Sequence, residues 1–373
     1  MQKDEDDILE DWILYHGYLF GFDNLYIIDN ESKPTTKCLD ILKKYQKLGL
    51  HWSQESDYTK KGFYLCQMIK NTADQCDIAI PLDIDEFIAI GDLSNIPDEY
   101  SRKLSQTTLS LNLRYYIDQY RQILKEATND QEIIEHFIKK GFRYGWASCH
   151  HSELRKPSSK ETEQFLDHYK DLILKYHPHV TISCDKHQIL QYLEQLPRYG
   201  RYAFNYYLTS RNGQIDYDDP LVEIQSFDLV DYENYCGKGN LNKKFFDPCQ
   251  LTSLDHGNHH GSVTGLTEQQ YLKTQLMLFH FHHRGVRKLI DKCKNDIIGL
   301  HIVPDLNNLI ELKDKISKKV TGAHNIQTYL TYLTSGPMSL CVEDDDICFK
   351  VRTFADKISE LRNKQSKINQ DHL

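Results

Sequence analysis

The spacing of apolar and polar residues at the start of the chain predicts a helix and then a short strand. Apolar residues recur with helical spacing from Ile8 to Phe20, and Gly21 follows where a C-terminal cap is common. The next segment, "NLYIID", is typical of a buried strand that ends at Asp29. The chain is therefore expected to begin with a helix-strand unit.

The pattern continues with two more helices and a second strand. Residues 36–48 and the segment "TKKGFYLCQMIKN" predict helices, with Ser32 as a candidate N-cap, and the run Ile78 to Leu82 predicts a strand. This order indicates an α/β layer. Ligands of open α/β sheets bind beyond the carboxyl ends of the strands, which makes Asp29 and Asp83 the first candidate site residues.

The rest of the sequence predicts a helical segment, then a segment rich in strands, and then a second helical segment. Residues 101–200 are mostly helical and polar, with candidate helices at 113–127, 132–140 and 163–176. The segments "RYAFNYYLTSRNG" and "EIQSFDLVDY" favour strands, and the chain becomes helical again past Arg284. The predicted divisions are 1–100, a helical insertion at 101–200, 201–285, and a helical C-terminal region at 286–373.

Composition excludes some classes of function. The 45 Lys and Arg residues against 54 Asp and Glu residues give a net charge of −9, which argues against a nucleic-acid partner. The sequence contains no run of about eighteen apolar residues, which is the length that would predict a transmembrane segment. The acidic start does not resemble a signal peptide, and the ten cysteines contain no CxxC pair. A cytoplasmic protein is expected.

The most informative stretch is "CDIAIPLDIDEFIAI", which carries three carboxylates. On a continuing strand Asp83 and Asp85 would face one side and Glu86 the other. Two carboxylates on one side are suited to Mg²⁺ or Mn²⁺. Spacing alone is equally compatible with a solvated strand end, but the apolar runs on both sides favour a half-buried site.

Histidines form the second candidate constellation. Six of them lie in "LDHGNHHGSV" and "LFHFHHRG", with His256 and His280 the best candidates. His280 and His282 alternate as on a strand, and Arg284 follows closely enough to meet a phosphate. Each histidine taken singly is also compatible with an ordinary hydrogen-bonded polar residue.

Two segments resemble a known group of enzymes. They are "KDEDDILEDWILYHGYLFGFDNLYIIDNES" and "IPLDIDEFIAI". Both are similar to segments of the family 2-like and family 92 glycosyltransferases. The pattern of that group is a Glu-Asp or Asn-Glu pair, then "yLxEWxxyHxxxGfdhiyiyDNxS", then "iDiDEF". Later, "KKFFDPCQLTSLDHGNHHGSV" and "LFHFHHRGVRKLIDKCKND" look like two further segments of that group, the second written "HYxxkSxeexxxK". Residues 95–200 are not covered by the resemblance.

The resemblance implies a GT-A fold, a Rossmann-like mixed sheet flanked by helices, with a nucleotide-sugar half at 1–100 and an acceptor-side half at 201–285. It implies a nucleoside-diphosphate sugar, UDP-sugar favoured, a glycan acceptor, and Mn²⁺ or Mg²⁺. The resemblance implies Glu5, Asp29 and Asp83 at the donor. Asn30 and Ser32, which crowd the same strand end as Asp29, are further donor-site candidates, with ordinary turn formation as the alternative. Lys243 and Arg284 are candidates to neutralise the phosphates through their charge. The residues implied at the cation are Asp83, Asp85 and His280. Asp4 stands where that group usually has an Asn before the first Glu. Only residues 1–3 of this sequence are left to form the strand that opens the fold in that group.

The expected reaction is an inverting transfer of a hexosyl or deoxyhexosyl group. A cation and nearby Lys or Arg side chains would stabilise the diphosphate as it leaves, and a base would take the proton of the acceptor hydroxyl. The candidate bases are Asp255, His256 and Glu223. Two alternatives are a metal-dependent phosphoesterase or nuclease that uses the Asp and His clusters, and an inactive carbohydrate-binding protein with the same fold.

Overall fold

The computed structural model describes most of the chain outside its central third. The described residues are 1–95, 132, 134, 135, 138, 159–176, 179–209, 216–229, 243–257, 260–267, 270–302, 305–318, 320, 323–337, 349, 350 and 352–371. The predicted helix at 113–127 lies outside them.

The chain divides into two compact units. One contains residues 1–90 and 182–373, and the other contains residues 91–181. The predicted insertion at 101–200 thus lies mostly in the second unit, with its residues 182–200 in the first. All candidate site residues belong to the first unit.

The described secondary structure is a mixture of helices and strands. The helices of four or more residues are α1 (Leu9–Phe20), α2 (Cys38–Gln46), α3 (Lys61–Asn71), α4 (Ser159–His168), α5 (Lys170–Tyr176), α6 (Lys186–Glu194), α7 (Pro220–Glu223), α8 (Val286–Gly299), α9 (Leu309–Ser317), α10 (Ala323–Ser335) and α11 (Thr353–Asp371). The strands are β1 (Tyr26–Asp29), β2 (His51–Gln54), β3 (Glu86–Asn95), β4 (His179–Ser183), β5 (Arg201–Thr209), β6 (Ser226–Leu229), β7 (Lys244–Phe246), β8 (Leu251–Leu254), β9 (Gly261–Val263), β10 (Leu272–His280) and β11 (Phe349–Lys350).

A mixed seven-stranded sheet forms the centre of the fold. Its order is β11-β6-β5-β10-β3-β4, with β7 paired to β5. Strands β5 and β10 are parallel, whereas β3 runs antiparallel to β10. The predicted α/β class, a mixed sheet flanked by helices, is confirmed at this level.

The N-terminal helix-strand unit is confirmed. Helix α1 ends at Phe20, and the cap residue Gly21 has a φ of 88°, in the left-handed region that favours glycine. Tyr15 of α1 is fully buried, and its hydroxyl donates a hydrogen bond of 2.5 Å to the carbonyl of Ile88 in β3. Aromatic contact with Phe87 holds the same face of the helix against that strand.

The family resemblance implies an opening strand, and the structure has a single β-bridge at that place. Gln2 pairs with Asp29 in parallel, and β1 in turn pairs in parallel with β2. The backbone N–H of Gln2 donates to the Ile28 carbonyl at 2.9 Å, and the N–H of Asn30 donates to the Gln2 carbonyl at 2.8 Å. These bonds fix the end of β1 and Asn30 against Gln2.

The predicted strand from Ile78 to Leu82 is wrong. Only Ala79 pairs there, through two backbone hydrogen bonds of 2.8 and 3.0 Å with Phe246. Pro81 has no N–H to donate to a ladder, which explains why pairing does not continue. The chain then turns, with the Glu86 N–H donating to the Asp83 carbonyl at 3.1 Å, and β3 begins only at Glu86.

The C-terminal helices form their own apolar cluster. Leu289, Ile297 and Leu312 of α8 and α9 are buried with Ile326 and Leu330 of α10. Among the described residues, no helix is long and apolar enough to cross a membrane.

Helix α11 is held to α1 by a partly buried ion pair. The guanidinium of Arg362 donates to both carboxylate oxygens of Asp11 at 2.8 and 2.6 Å, and it also contacts Asp219 at 2.5 Å. The C-terminal region predicted as helical is therefore part of the first unit's packing.

Replacing Gly62 with alanine is expected to lower the free energy of unfolding by about 1–3 kcal/mol. The added Cβ would meet the carbonyl oxygen of Leu254 and lie 2.9 Å from the carbonyl carbon of Asp255, so backbone must move. Urea unfolding of Gly62→Ala beside Gln67→Ala, an exposed position on the same helix, measures the difference. Equal stability of the two variants would contradict this packing.

Candidate functional site

The turn after Leu82 brings all three carboxylates of the stretch into one cluster. The backbone N–H of Asp83 donates to Glu86 Oε2 at 2.8 Å, and Lys243 Nζ lies 3.0 Å from Asp83 Oδ2 and 3.1 Å from Glu86 Oε1. The prediction that Glu86 faces away from the aspartates is wrong. Strand alternation does not apply because the chain turns at residues 84–85 before the strand begins.

Asp83 is paired with two buried lysines. Lys61 Nζ lies 2.5 Å from its Oδ1, and Lys243 lies at its other oxygen. Burial acts to raise the pKa of Asp83, but the charges of Lys243 and Lys61 outweigh it and hold that pKa well below its usual range. Asp83 is therefore an ionised partner of two ammonium groups.

Asp85 is paired with a different set of cations. Its Oδ1 lies 3.1 Å from His280 Nε2, and its Oδ2 lies 3.1 Å from an Arg284 guanidinium nitrogen and 2.7 Å from Lys292 Nζ. Burial opposes ionisation, yet His280, Lys292 and Arg284 together hold the pKa of Asp85 well below its usual range. The backbone carbonyl of Asp85 also accepts from the Phe281 N–H at 2.7 Å, which fixes the turn beside the end of β10.

Two histidines complete a set of possible metal ligands with Asp85. One ligand atom from each of Asp85, His280 and His282 lies within 4.8 Å of the others. The hydroxyl of Tyr206 is hydrogen-bonded to His280 Nδ1, which orients that ring. Burial is the main cause that lowers the pKa of His282 well below its usual value, so its ring is neutral and can act as a ligand.

This donor set fits a divalent cation. A carboxylate with two imidazoles suits Mn²⁺ or a later first-row ion better than Mg²⁺, which prefers oxygen ligands alone. Within the described part of the chain it is the one such group. Asp85 and His280 belong to it as the resemblance implies, whereas Asp83 lies with the two lysines instead.

Arg284 connects the donor set to the N-terminal segment. Its buried guanidinium contacts Glu5 and lies 2.9 Å from Asp7 Oδ2 as well as close to Asp85. Burial raises the pKa of Glu5 in spite of Arg284, whereas Arg284 and Lys288 overcome burial and lower the pKa of Asp7. The Glu-Asp segment therefore lies at the edge of this cluster.

Asp29, Asn30 and Ser32 form a closed hydrogen-bonded turn. Asp29 is fully buried and accepts from the Ser32 hydroxyl at 2.6 Å and from Gln54 Nε2 at 3.1 Å. Asn30 Nδ2 donates to the carbonyl of Glu55 at 2.7 Å. Ser32 is not the N-cap of α2, because that helix begins at Cys38 and Lys37 occupies the cap position. The hydroxyl of Ser32 donates to Asp29 instead. The described contacts of these three residues are those of turn formers.

The three candidate bases lie in different surroundings. His256 packs edge-on against Tyr58, and burial together with the charge of Lys61 lowers its pKa to about 4. Asp255 accepts from the His260 N–H at 2.9 Å. Glu223 is exposed, and its carboxylate accepts from the Asp219 N–H at 2.7 Å at the start of α7.

A cavity of about 240 Å³ opens beside Asp255. It is lined by Arg201, Lys244, Ser253, Leu254, Asp255, His260, Gly261 and Ser262. Burial and the charge of Arg201 lower the pKa of Lys244 to about 7. The structure thus places Asp255 at a polar pocket and His256 near the acidic cluster.

Sequence reasoning missed two residues of the cluster, Lys61 and Lys292. It marked His282 through its strand alternation with His280, although it did not name His282 as a metal ligand. Lys292 occupies the final Lys of the segment that resembles "HYxxkSxeexxxK", which was a usable signal. Lys61 had none, because a lysine in a helix is usually solvated.

The stability of the protein without ligands is expected to fall as the pH drops from about 5 to about 3. Asp83 and Asp85 have lowered pKa values in the folded state, so their contribution is complete above the unfolded value of 3.8 and is lost as the pH falls toward the folded values. Urea unfolding at several pH values measures the slope, which should be shallower for Asp83→Asn. An identical slope in that variant would contradict the ion pairing of Asp83.

The fold and cluster define a mixed α/β protein with a buried site of carboxylates, imidazoles and ammonium groups. Compared with known protein families, curated proteins and solved structures, the chain matches none of them.

Proposed function

We propose that the protein is a metal-dependent glycosyltransferase of GT-A type that uses a nucleoside-diphosphate sugar. The observation that carries the proposal is the set of cations around one metal-binding group. Lys61, Lys243, Lys292 and Arg284 surround the carboxylates of Asp83 and Asp85, next to His280 and His282. A group that leaves as a diphosphate requires such positive charge, and all of these residues except Lys61 lie in the segments that carry the family resemblance.

Asp85, His280 and His282 would hold the cation. When bound, a divalent cation supplies Lewis-acid stabilisation of the negative charge on the departing diphosphate. Arg284 stays in place through Glu5 and Asp7 and keeps Asp85 ionised and oriented. Lys61 and Lys243 do the same for Asp83, and they would add positive charge beside a bound diphosphate.

The transfer breaks the bond between the sugar's anomeric carbon and the diphosphate oxygen, which keeps the electron pair. The acceptor hydroxyl oxygen forms the new bond to that carbon, and its proton passes to a base. Among the candidates, His256 is supported best. Its Nε2 is buried and, among the described residues, has no hydrogen-bond partner, so this nitrogen is available to accept a proton. Asp255 is the alternative if the acceptor occupies the cavity that it lines.

A two-metal phosphoesterase is the main rival. It requires two ions about 4 Å apart, each held by several ligands. In the described residues, the remaining carboxylates of the cluster, Asp83 and Glu86, already face Lys61 and Lys243 rather than a second group of imidazoles. This arrangement favours one cation beside several ammonium groups, the arrangement expected for diphosphate binding.

A donor-hydrolysis screen tests the proposal. The protein is incubated with UDP-, GDP- and dTDP-sugars and Mn²⁺ or Mg²⁺, and mass spectrometry detects the free nucleoside diphosphate. We expect release from at least one donor, faster with Mn²⁺ and abolished in Asp85→Asn. Release of inorganic phosphate from a simple phosphoester, with no donor cleaved, would instead support the rival.

A further inference from the structure

Lys292 already contacts two of the three residues that form the metal-binding group. Its ammonium nitrogen lies 2.7 Å from Asp85 Oδ2 and 3.4 Å from His282 Nδ1. The side chain is only 24% exposed. Because lysine carries a positive charge at neutral pH, Lys292 places that charge directly against the candidate ligands of a divalent ion.

The ammonium group and a divalent ion cannot keep the same contacts. Both are positive, and both would use Asp85 together with the lone pair of His282. At such short separations in a buried site their repulsion is large. One of the two must withdraw when the other is bound.

Lys292 is better able to move than its neighbour Arg284. Arg284 is 2% exposed, and Glu5, Asp7 and Asp85 all hold it. The described hydrogen bonds of Lys292 go to Asp85 and His282, and its four-carbon stem can swing the ammonium group away from them.

We propose that Lys292 is the resident counter-cation of this site, which leaves Asp85 when a divalent cation binds and then takes a phosphate oxygen of the donor. This inference rests on the proposed function. It predicts that metal and diphosphate help each other to bind, because the displaced ammonium gains a new anionic partner only when the diphosphate is present. Such coupling is reciprocal.

Manganese binding to a Lys292→Met variant tests this exchange. Electron paramagnetic resonance measures free Mn²⁺ without nucleotide, and calorimetry measures UDP affinity at saturating Mn²⁺. Loss of the competing charge should tighten Mn²⁺ binding by about tenfold, and loss of the phosphate contact should weaken UDP binding by about tenfold. Lys292→Gln should behave in the same way, and it serves as the second variant if the first is poorly folded.

Lys288→Met is the matched control. Lys288 lies one turn earlier on the same helix and pairs with Asp6 and Asp7 at 3.3 and 3.1 Å. We expect the affinities of Lys288→Met for Mn²⁺ and for UDP to stay within about threefold of those of the parent. Unchanged or weaker Mn²⁺ binding in both Lys292 variants would overturn the inference.

The same experiment separates the two proposals. If Mn²⁺ binds the parent and is lost in Asp85→Asn, but the Lys292 variants bind it no more tightly, the cation site stands and the exchange is refuted. If Mn²⁺ binds neither the parent nor the variants, with or without UDP, the proposed function fails and the inference fails with it.

Discussion

Replacing Arg284 with methionine is expected to lower the free energy of unfolding by about 3–5 kcal/mol, the largest stability effect that we expect from a single substitution. The guanidinium is buried and contacts Glu5, Asp7 and Asp85. Its removal leaves three carboxylates close together, and Lys288 and Lys292 can compensate only part of their charge. Leaving a buried charge without a partner costs far more free energy than the ion pair itself contributes to stability.

Chemical unfolding of Arg284→Met beside Arg287→Met provides the measurement. Arg287 lies three residues later and pairs with Asp216 at 2.8 Å, but its side chain is 77% exposed. Exposed pairs contribute little, so the control should change by less than about 0.5 kcal/mol. Similar losses in the two variants would show that Arg284 does not have the buried position described above.

The second large effect is expected for Mn²⁺ affinity in Asp85→Asn. The amide keeps the shape of the side chain but loses the only charged ligand of the described donor set, and we expect Mn²⁺ binding to weaken by about a hundredfold or more. Electron paramagnetic resonance of free Mn²⁺ provides the measurement.

Asp83→Asn is the matched comparison, because Asp83 belongs to the same Asp-x-Asp sequence. Its carboxylate is paired with Lys61 and Lys243 and is not part of the donor set. Mn²⁺ affinity should therefore change by only a few fold. Equal losses in the two variants would place both aspartates on the cation and contradict the division of roles described here.

Local patterns predicted those elements whose conformation depends mainly on their own residues. Helix α1, strand β1 and strand β5 follow from helical spacing, from a short apolar run and from aromatic composition. The family resemblance, rather than any local pattern, predicted that Asp85 and His280 lie together. Their proximity depends on strand β10, which ends at His280 beside the turn at Asp85.

The errors have local physical causes. The apolar run before Asp83 has the composition of a strand, but Pro81 removes a donor and the chain turns at residues 84–85. That turn places Glu86 beside Lys243 instead of on the opposite face. Strand periodicity cannot anticipate a turn that is stabilised by Glu86 itself, through the N–H of Asp83.

The lysines of the site could not be located from periodicity. Lys61 and Lys292 lie on helices in which lysine is common, and only tertiary packing brings them to the aspartates. The same limit applies to the candidate bases. Asp255 and His256 are neighbours in sequence, yet one lines a cavity and the other packs against Tyr58.

Calorimetric titration of UDP into the protein, with and without Mn²⁺, tests the central claim most directly. If the cluster around Asp85 is a cation and diphosphate site, UDP should bind in the presence of Mn²⁺ and bind much more weakly in its absence. In Asp85→Asn, Mn²⁺ should no longer increase the affinity for UDP. Binding of UDP that ignores both Mn²⁺ and Asp85, or no binding of UDP, GDP or dTDP under any of these conditions, would contradict it.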